Sequence, residues 1–247
     1  MWRSIKSYLI SFRVFLPLPL QGMWLAYLPI RMYYHGSHEP ETTIYFKQVV
    51  KKDWVAVDVG AYVGYYTVLF SKLANKVYAF EPSEISFRKL KRNVAYNRCK
   101  NVGLYNAAIG EKGKTATLHG TQRGGADSLS ITQGATYEKI VQVLSLDGII
   151  RGRVDVVKID AEGADLDVLE GMKRIMQENP NLTITLEFSP KNISKSGGVP
   201  ADFLHTVEGY GLTLQWIAPG GIISDDIEYL RNLKAGHVNL LCKPKGK

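Results

Sequence analysis

Residues 52–82 read K-D-W-V-A-V-D-V-G-A-Y-V-G-Y-Y-T-V-L-F-S-K-L-A-N-K-V-Y-A-F-E-P, and the fold prediction starts from these residues. The β-branched run Val55–Val59 predicts a buried strand, and the apolar spacing over residues 65–73 predicts a helix. A glycine-containing turn joins the two, and a second short strand ends just before Glu81. The order of strand, turn, helix, strand and acid predicts a βαβ unit of the kind that binds a nucleoside.

The turn between the first strand and the helix indicates which nucleoside. Gly60 and Gly64 give the spacing G-x-x-x-G, and Tyr62 stands where a dinucleotide fingerprint needs glycine for the approach of a pyrophosphate. Asp58 would repel a phosphate but attract a cation or an amino group. Glu81 can accept both hydroxyls of a ribose. The pattern disfavours NAD and FAD and favours S-adenosylmethionine (SAM), which has a ribose, an ammonium group and no phosphate.

The composition is that of an ordinary globular protein. The 247 residues are 45% hydrophobic and 22% charged, which suits one α/β domain with a short addition. Cys99 and Cys242 form no metal or redox spacing and are typical of a reducing cytoplasm. The net charge is +8, of which residues 1–52 carry +5 through seven Lys/Arg and two Glu. This concentration at the front disfavours a nucleic-acid-binding face spread over the domain.

The first 45 residues form a predicted extension, separate from a domain over residues 46–247. Apolar residues at alternating spacings of three and four predict a basic amphipathic helix over residues 2–16. Prolines and a glycine interrupt the uncharged run 14–30, which disfavours a transmembrane helix, and no signal-peptide cleavage pattern follows. Two interpretations stay open: a cap packed on the domain or on a second subunit, or a segment that lies in the membrane interface on the cytoplasmic face.

Strands and helices alternate along the rest of the chain. Helices are predicted over residues 39–50, 83–97, 166–176 and 200–210, and further strands over residues 102–105, 155–159, 183–188, 212–217 and 238–242. This alternation predicts a mostly parallel sheet with helices on both faces. A connection without a long helix precedes the last strand and predicts that this strand is antiparallel. The alternating residues 115–119 and 139–144 predict a small hairpin sheet.

Five blocks in consistent order extend this pattern. They are D-V-G-A-Y-V-G-Y-Y-T (58–67), F-E-P (80–82), N-A-A-I-G (106–110), V-L-S-L-D (143–147) and V-K-I-D-A-E-G (157–163). Together they resemble the FkbM family of SAM-dependent methyltransferases over about residues 50–190. The resemblance implies a Rossmann-like class I methyltransferase fold, which is an α/β fold with a seven-stranded, mostly parallel sheet and a reversed last hairpin. It also implies methyl transfer to a hydroxyl oxygen of a small molecule, sugar, glycan or lipid.

The resemblance also assigns roles to single residues. It implies that the methionine end of SAM is surrounded by Asp58, Gly60, Ala61, Tyr62 and Gly64. It implies that Glu81, followed by Pro82, takes the ribose hydroxyls, and that Asn106 and Ala107 border the adenine. The side-chain amide of Asn106 can hydrogen-bond the adenine edge.

Two acids follow the predicted strand over residues 155–159, at the edge of the sheet where ligands bind in open α/β folds. A hydroxyl acceptor must lose its proton, and Asp160 is the predicted general base, with Glu162 as the alternative or as a substrate-orienting partner. Glu162 could instead cap the next helix. Asp127 and Ser128, in a glycine-rich loop, are predicted to touch substrate, unless this loop is simply solvated. No His/Asp/Glu cluster has metal-ligand spacing, so no catalytic metal is predicted.

Two other function classes stay open. A nucleic-acid methyltransferase of the base-amino type carries an N/D-P-P-Y/F segment after the fourth strand, where this chain has Asp160–Gly163 with two acids and no aromatic residue. A non-catalytic scaffold at the membrane would not need Asp58, Gly60, Gly64 and Glu81, which are all intact. We therefore expect an enzyme with a small hydroxylated acceptor and no nucleic-acid partner.

Overall fold

An eight-stranded sheet organises the computed structural model of the protein, which describes residues 18–20, 23–25, 38–111, 115–120, 137–195 and 197–245. In order across the sheet the strands are β12 (Ile222–Ser224), β11 (Gln215–Ala218), β13 (Val238–Cys242), β10 (Thr183–Phe188), β9 (Val156–Ile159), β3 (Val55–Val59), β4 (Lys76–Phe80) and β5 (Val102–Tyr105). The predicted βαβ unit, with its two strands paired side by side, therefore lies on one half of this sheet.

The directions of the strands agree with the sequence analysis. The five strands β10, β9, β3, β4 and β5 are parallel to one another. The last strand, β13, is antiparallel to both of its neighbours, β10 and β11, as predicted. The eighth strand is β12, a three-residue edge strand that pairs with β11. The resemblance implied seven strands, and β12 was not predicted because three residues are too few to show a period of two.

Helices cover both faces of the sheet. They are α1 (Pro40–Val49), α2 (Tyr65–Leu73), α3 (Glu84–Tyr96), α4 (Leu146–Ile149), α5 (Asp165–Glu170), α6 (Lys173–Glu178), α7 (Pro190–Lys195), α8 (Pro200–Gly209) and α9 (Ile227–Asn232). Neighbouring residues of β3 point to opposite faces, so Ala56 packs in one core cluster with Phe46 and Phe70, and Val57 packs in the other with Met172. The prediction of helices on both faces is confirmed.

One predicted helix is wrong in its extent. Residues 166–176 were predicted as a single amphipathic helix, but α5 and α6 are separate helices. A Cβ atom on Gly171 would lie 2.2 Å from the carbonyl oxygen of Gly110, so the backbone at this point is pressed against another segment. The carboxylate of Asp147 then accepts the N–H groups of Arg174 and Ile175 and satisfies the start of α6. Both contacts join residues that are distant in the sequence, so the spacing of apolar residues within 166–176 cannot predict the break.

Two smaller sheets complete the described part of the chain. The predicted hairpin is confirmed by β7 (Thr115–Gly120) and β8 (Tyr137–Leu144), which are antiparallel, and β8 also pairs with β6 (Ala108–Ile109). The strands β1 (Leu18–Leu20) and β2 (Met23–Leu25) form a second hairpin, and Met23 is buried in the core cluster of Phe46 and Phe70. The amphipathic helix predicted over residues 2–16 lies outside the described residues. None of the described helices has the length and apolar character needed to cross a bilayer.

Candidate functional site

A cavity of about 920 Å³ opens at the carboxyl ends of the parallel strands. One acid from the end of each of four adjacent strands reaches its wall: Asp58 from β3, Glu81 after β4, Asp160 after β9 and Glu187 from β10. The carboxyl ends of the strands are where ligands bind in open α/β sheets. The position and size of the cavity therefore suit a small-molecule site.

Glu81 is held in place by the backbone around it. Its Oε2 accepts the N–H of Tyr62 and its Oε1 accepts the N–H of Ser83, both at 2.8 Å, and the residue is only 6% exposed. The N–H groups of Gly60 and Ala61 both donate to the carbonyl of Phe80, which joins the turn after β3 to the end of β4. The carboxylate thus faces the cavity in a fixed orientation, with lone pairs left for further donors.

The two glycines of the turn meet protein atoms at close range. Gly60 has a φ of +76°, and a Cβ atom there would lie 1.8 Å from the carbonyl oxygen of Asp160. Gly64 has a φ of +92°, and a Cβ atom there would lie 2.6 Å from Cδ1 of Leu90 on α3. Glycine is required at both positions by the packing of the chain itself. Gly60 lines the cavity, whereas Gly64, the residue that precedes α2, is not among the lining residues.

Asp58 and Lys158 lie beside each other on β3 and β9. Asp58 is buried and accepts a hydrogen bond of 2.5 Å from the hydroxyl of Thr67. Burial raises the pKa of Asp58 above its ordinary value, although the charge of Lys158 and the bond from Thr67 oppose this. The site therefore contains a buried acid two residues before Gly60, the first glycine of the turn.

Lys158 carries the central positive charge of the site. Its ammonium group donates to Oδ2 of Asp160 at 2.9 Å and lies 4.8 Å from the ring centre of Tyr66, and the residue is 3% exposed. Burial lowers the pKa of Lys158, but the carboxylates of Asp160, Glu39 and Asp58 outweigh burial and raise it overall. Burial likewise raises the pKa of Asp160, but Lys158, through its charge and its hydrogen bond, holds that pKa below the ordinary value. Lys158 and Asp160 are therefore a charged pair at neutral pH.

Two further carboxyl groups on the cavity wall have raised pKa values, in contrast to Asp160. Desolvation, together with the charges of Asp160 and Asp165, raises the pKa of Glu162 to about 7. Desolvation, with the charges of Asp160, Glu162 and Glu39, raises the pKa of Glu187 to about 8. Glu162 lies in the turn after β9 with a φ of +48°, and α5 begins without a side-chain cap at Ala164. Groups that titrate this close to neutral pH are typical of acid–base sites.

Segments far apart in the chain form the outer walls of the cavity. Just before α1, Glu39 accepts the hydroxyl of Tyr66 at 3.0 Å, and His38 packs edge-on against Tyr65 at 5.3 Å between ring centres. From a later part of the chain, Trp216 and Tyr229 stack at 4.6 Å between ring centres, and His237 also lines the cavity. None of these residues was predicted as a site residue, because no local sequence pattern distinguishes them. Glu187 was also missed, although an acid near the end of a central strand is a usable signal.

The structure brings most of the predicted site residues together. Those that line the cavity are Asp58, Gly60, Ala61, Tyr62, Glu81, Pro82, Ala107, Asp160 and Glu162. Asn106 is exposed outside the lining, and its side-chain NH₂ donates to the carbonyls of Glu81 at 2.8 Å and Pro82 at 3.1 Å. Asp127 and Ser128 lie outside the described residues. The roles of all these residues stay predictions.

The chemistry of the wall fits SAM. Among the described residues of the wall, carboxylates outnumber cations, and Lys158 is bonded to Asp160, which suits a cationic ligand and disfavours a phosphate. The oriented carboxylate of Glu81 suits the two hydroxyls of a ribose. Within the described ranges, no group of three or more His, Cys, Asp or Glu side chains could hold a metal ion.

Comparisons with known proteins agree with this chemistry. A family model described as the Methyltransferase FkbM domain matches residues 58–212, which is more than half of the chain. Among curated proteins no significant match is found.

Solved structures share the fold at low sequence identity. A Streptococcus mutans protein assigned as a methyltransferase and solved in complex with SAH is 16% identical, with a TM-score of 0.52 over 83% of this chain and 98% of that one. An rRNA methylase from Streptococcus thermophilus is 13% identical, with a TM-score of 0.53 over 85% of this chain and 98% of that one. An FkbM methyltransferase from Methylobacillus flagellatus KT is 18% identical, with a TM-score of 0.51 over 85% of this chain and 49% of that one.

Proposed function

Because the chain belongs to the FkbM family of SAM-dependent methyltransferases, we propose that it transfers the methyl group of SAM to a hydroxyl oxygen of a small molecule, a sugar or glycan, or a lipid. The observation that carries this proposal is the cavity at the carboxyl ends of the strands, with the fixed carboxylate of Glu81 on one wall and titratable acids on another. The first wall suits the cofactor and the second suits proton removal from an alcohol.

Named residues of the wall would hold the cofactor. We propose that Asp58, Gly60, Ala61 and Tyr62 contact its methionine part, that Glu81 accepts its ribose hydroxyls, and that Pro82 and Ala107 border its base. When bound, SAM supplies a methyl group on a positively charged sulfur. The acidic residues around the cavity favour that charge by simple electrostatics.

The residues beyond the end of β9 would act on the acceptor. Asp160 was predicted as the general base, but its pKa is held low by Lys158, so it is a weak proton acceptor. We propose instead that Asp160 keeps Lys158 in position and that Glu162, at the open mouth, orients the acceptor by accepting hydrogen bonds from its hydroxyl groups. Most of the rate enhancement would then come from holding the acceptor oxygen in line with the methyl group.

Isotope transfer tests the proposed function. The full-length protein is incubated with SAM carrying a ¹³C-methyl group and with panels of hydroxylated metabolites, methyl glycosides, glycans and lipids. We expect SAH to form with one class of acceptor and the label to appear as a methyl ether. Formation of SAH with the label on nitrogen or carbon, or SAM binding with no transfer to any panel, would contradict the proposal.

The rival activity is methylation of RNA, since one structural neighbour is an rRNA methylase. The acids at the end of β9 and on β10 would repel a phosphate backbone at the mouth of the cavity. Residues Asp160–Gly163 include no aromatic ring on which a flipped base could stack. The same transfer assay with total rRNA and tRNA distinguishes the two activities. Label in RNA in place of a small acceptor would establish the rival.

We further propose that the protein works in the cytoplasm and that residues 1–30 include a segment that contacts the membrane surface. The amphipathic pattern over residues 2–16 supports this, whereas the burial of Met23 shows that part of the same region packs on the domain. Co-sedimentation with liposomes that contain anionic lipid compares the full chain with a deletion of residues 1–17. Release of the deleted form is expected, and equal partition of both forms would contradict membrane contact.

A further inference from the structure

Glu187 is an acid of the cavity wall to which the sequence analysis gave no role. It lies one residue before the end of β10, a strand that is hydrogen-bonded on both sides, to β9 and to β13. Its register partner on β13 is Asn239, and the pairing of Leu186 with Ile159 places it level with Asp160 at the end of β9. Such a position fixes the backbone of Glu187 more firmly than a turn would.

The acids at the four strand ends differ in their partners. Asp58 accepts from Thr67, Glu81 accepts two backbone N–H groups, and Asp160 accepts from Lys158. In the part of the chain that the structure describes, the carboxylate of Glu187 has neither an ion pair nor a hydrogen bond. It is half-buried and faces the cavity. A carboxylate in this state is available to a ligand in the cavity.

The groups around Glu187 make it a better base than Asp160. The acids that face it are Asp160 after β9, Glu162 and Asp165 in and after the following turn, and Glu39 before α1. The neighbouring cation on β9, Lys158, is bonded to Asp160, and the neighbour on β13 is the neutral Asn239. Burial and these negative charges raise the pKa of Glu187 to about 8, whereas that of Asp160 is lowered. General bases work best when their pKa lies near the working pH.

We propose that Glu187 is the catalytic base that removes the proton of the acceptor hydroxyl. The proposal rests on the proposed function, since it needs an acceptor with an O–H bond. That bond breaks as its proton passes to the Glu187 carboxylate, the acceptor oxygen forms the new bond to the methyl carbon, and the electrons of the C–S bond stay on sulfur, leaving SAH. Glu162 is less suited to this step because it lies on the turn after β9, whereas Glu187 lies in a strand that is paired on both sides.

The variant Glu187→Gln tests the proposal, and Glu178→Gln, an exposed change on α6, is the matched control. Each full-length variant is titrated with SAM by calorimetry and assayed with the acceptor that the wild type uses in the isotope-transfer panel. We expect Glu187→Gln to bind SAM within about twofold of wild type and to lose at least about 100-fold in kcat, the usual contribution of a general base. The control should match the wild type in both measurements.

The pH profile separates a base from a residue that only shapes the cavity. Because the ionised form of Glu187 is the active one, kcat/KM for the acceptor should rise with pH, reach half of its maximum at about pH 8 and level off above that pH in the wild type. This limb should be absent from Glu187→Gln. A Glu187→Gln variant that keeps the limb and nearly full kcat would overturn the proposal, as would a limb that disappears in Glu162→Gln and persists in Glu187→Gln.

A measurement without any acceptor adds an independent outcome. In protein with ¹³C-labelled glutamate carboxyl groups, one resonance should titrate at about pH 8 and should be missing from Glu187→Gln. Persistence of that resonance in the variant would contradict the assignment. If instead the proposed function fails, the wild type itself transfers no methyl group to any hydroxyl, so the two failures are distinguishable.

Discussion

At the residue scale, Glu81 is the acid whose geometry is fixed before any ligand arrives. Both of its oxygens accept backbone N–H groups, so the side chain loses little freedom when it accepts further donors. We predict that Glu81→Ala weakens SAM binding about 10- to 150-fold, because hydrogen bonds to a charged group contribute about 1.5–3 kcal/mol. Calorimetric titration measures the affinity, and thermal unfolding of the same sample monitors the fold.

The control for this prediction is a neighbouring glutamate outside the cavity. Glu84 is exposed and pairs with Lys139 and Arg88 at the surface, so Glu84→Ala should leave the SAM affinity unchanged. An affinity of Glu81→Ala within about twofold of wild type would show that Glu81 does not hold the ribose.

Lys158 offsets the charges of several acids of the site at once, and the loss of stability on its removal should depend on pH. In the wild type, Lys158 lowers the pKa of Asp160, so this pair contributes stability above the ordinary aspartate pKa and loses it as pH falls through the lowered value. In Lys158→Met, burial acts on Asp160 and Asp58 without the opposing charge of Lys158, so their pKa values rise. We predict a loss of about 3–5 kcal/mol at pH 8 and a smaller loss at pH 5, where these acids can take up protons.

Denaturant unfolding at the two pH values measures this effect. Lys173→Met serves as the control, because Lys173 pairs with Glu170 on the surface, and it should change stability by less than about 1 kcal/mol at either pH. Equal losses for Lys158→Met at pH 5 and pH 8 would contradict the proposed charge balance.

At the scale of single elements, β10 contains two buried threonines that differ in one respect. Thr183 shares a hydrogen bond with the hydroxyl of Tyr45, whereas the hydroxyl of Thr185 has no partner among the described residues. We predict that Thr185→Val raises the free energy of unfolding by about 1 kcal/mol, because an unsatisfied buried hydroxyl is removed without a change of shape. Thr183→Val should lower it by a similar amount. Thermal unfolding compares the two, and a loss of stability in Thr185→Val would contradict the prediction.

The elements also show how far a sequence can be interpreted without a structure. The strand Val55–Val59, the glycine turn and the helix after it could be predicted because their signals are local: β-branched residues, glycines and an apolar period. The break between α5 and α6 could not be predicted, because it depends on residues that are distant in the sequence. Gly171 packs against the backbone of Gly110, and the carboxylate of Asp147 accepts a backbone N–H at the start of α6. The residues proposed to bind the cofactor were predicted from local signals of the first kind.

At the scale of the whole molecule, the acceptor side of the cavity shows the limit of such prediction. Glu39 precedes α1, and Trp216, Tyr229 and His237 follow residue 212, so all four lie outside the segment that matches the family model. These residues lie close together only because the folded sheet brings residue 39 near residues 216–237. The five sequence blocks therefore predict the cofactor, whereas the outer walls of the cavity are formed by residues that only the fold brings together.

The packing of Met23 gives a prediction for the whole chain. This residue is fully buried in the cluster of Phe46 and Phe70, so the hairpin of β1 and β2 contributes to the core. Met23→Ala should lower the free energy of unfolding by about 2–5 kcal/mol. Deletion of residues 1–17, which leaves Met23 in place, should cost less than Met23→Ala in the same denaturant titration. A larger loss of unfolding free energy from the deletion than from Met23→Ala would contradict this prediction, because the residues before β1 would then contribute more to stability than Met23.

A crystal structure of the protein with SAH tests the central claim most directly. We predict that the nucleoside lies in the cavity at the ends of β3 and β4, with both ribose hydroxyls within hydrogen-bonding distance of Glu81 and the sulfur on the side of Glu162 and Glu187. A complex in which Glu81 has no contact with the ribose, or in which the sulfur faces away from these two acids, would contradict it.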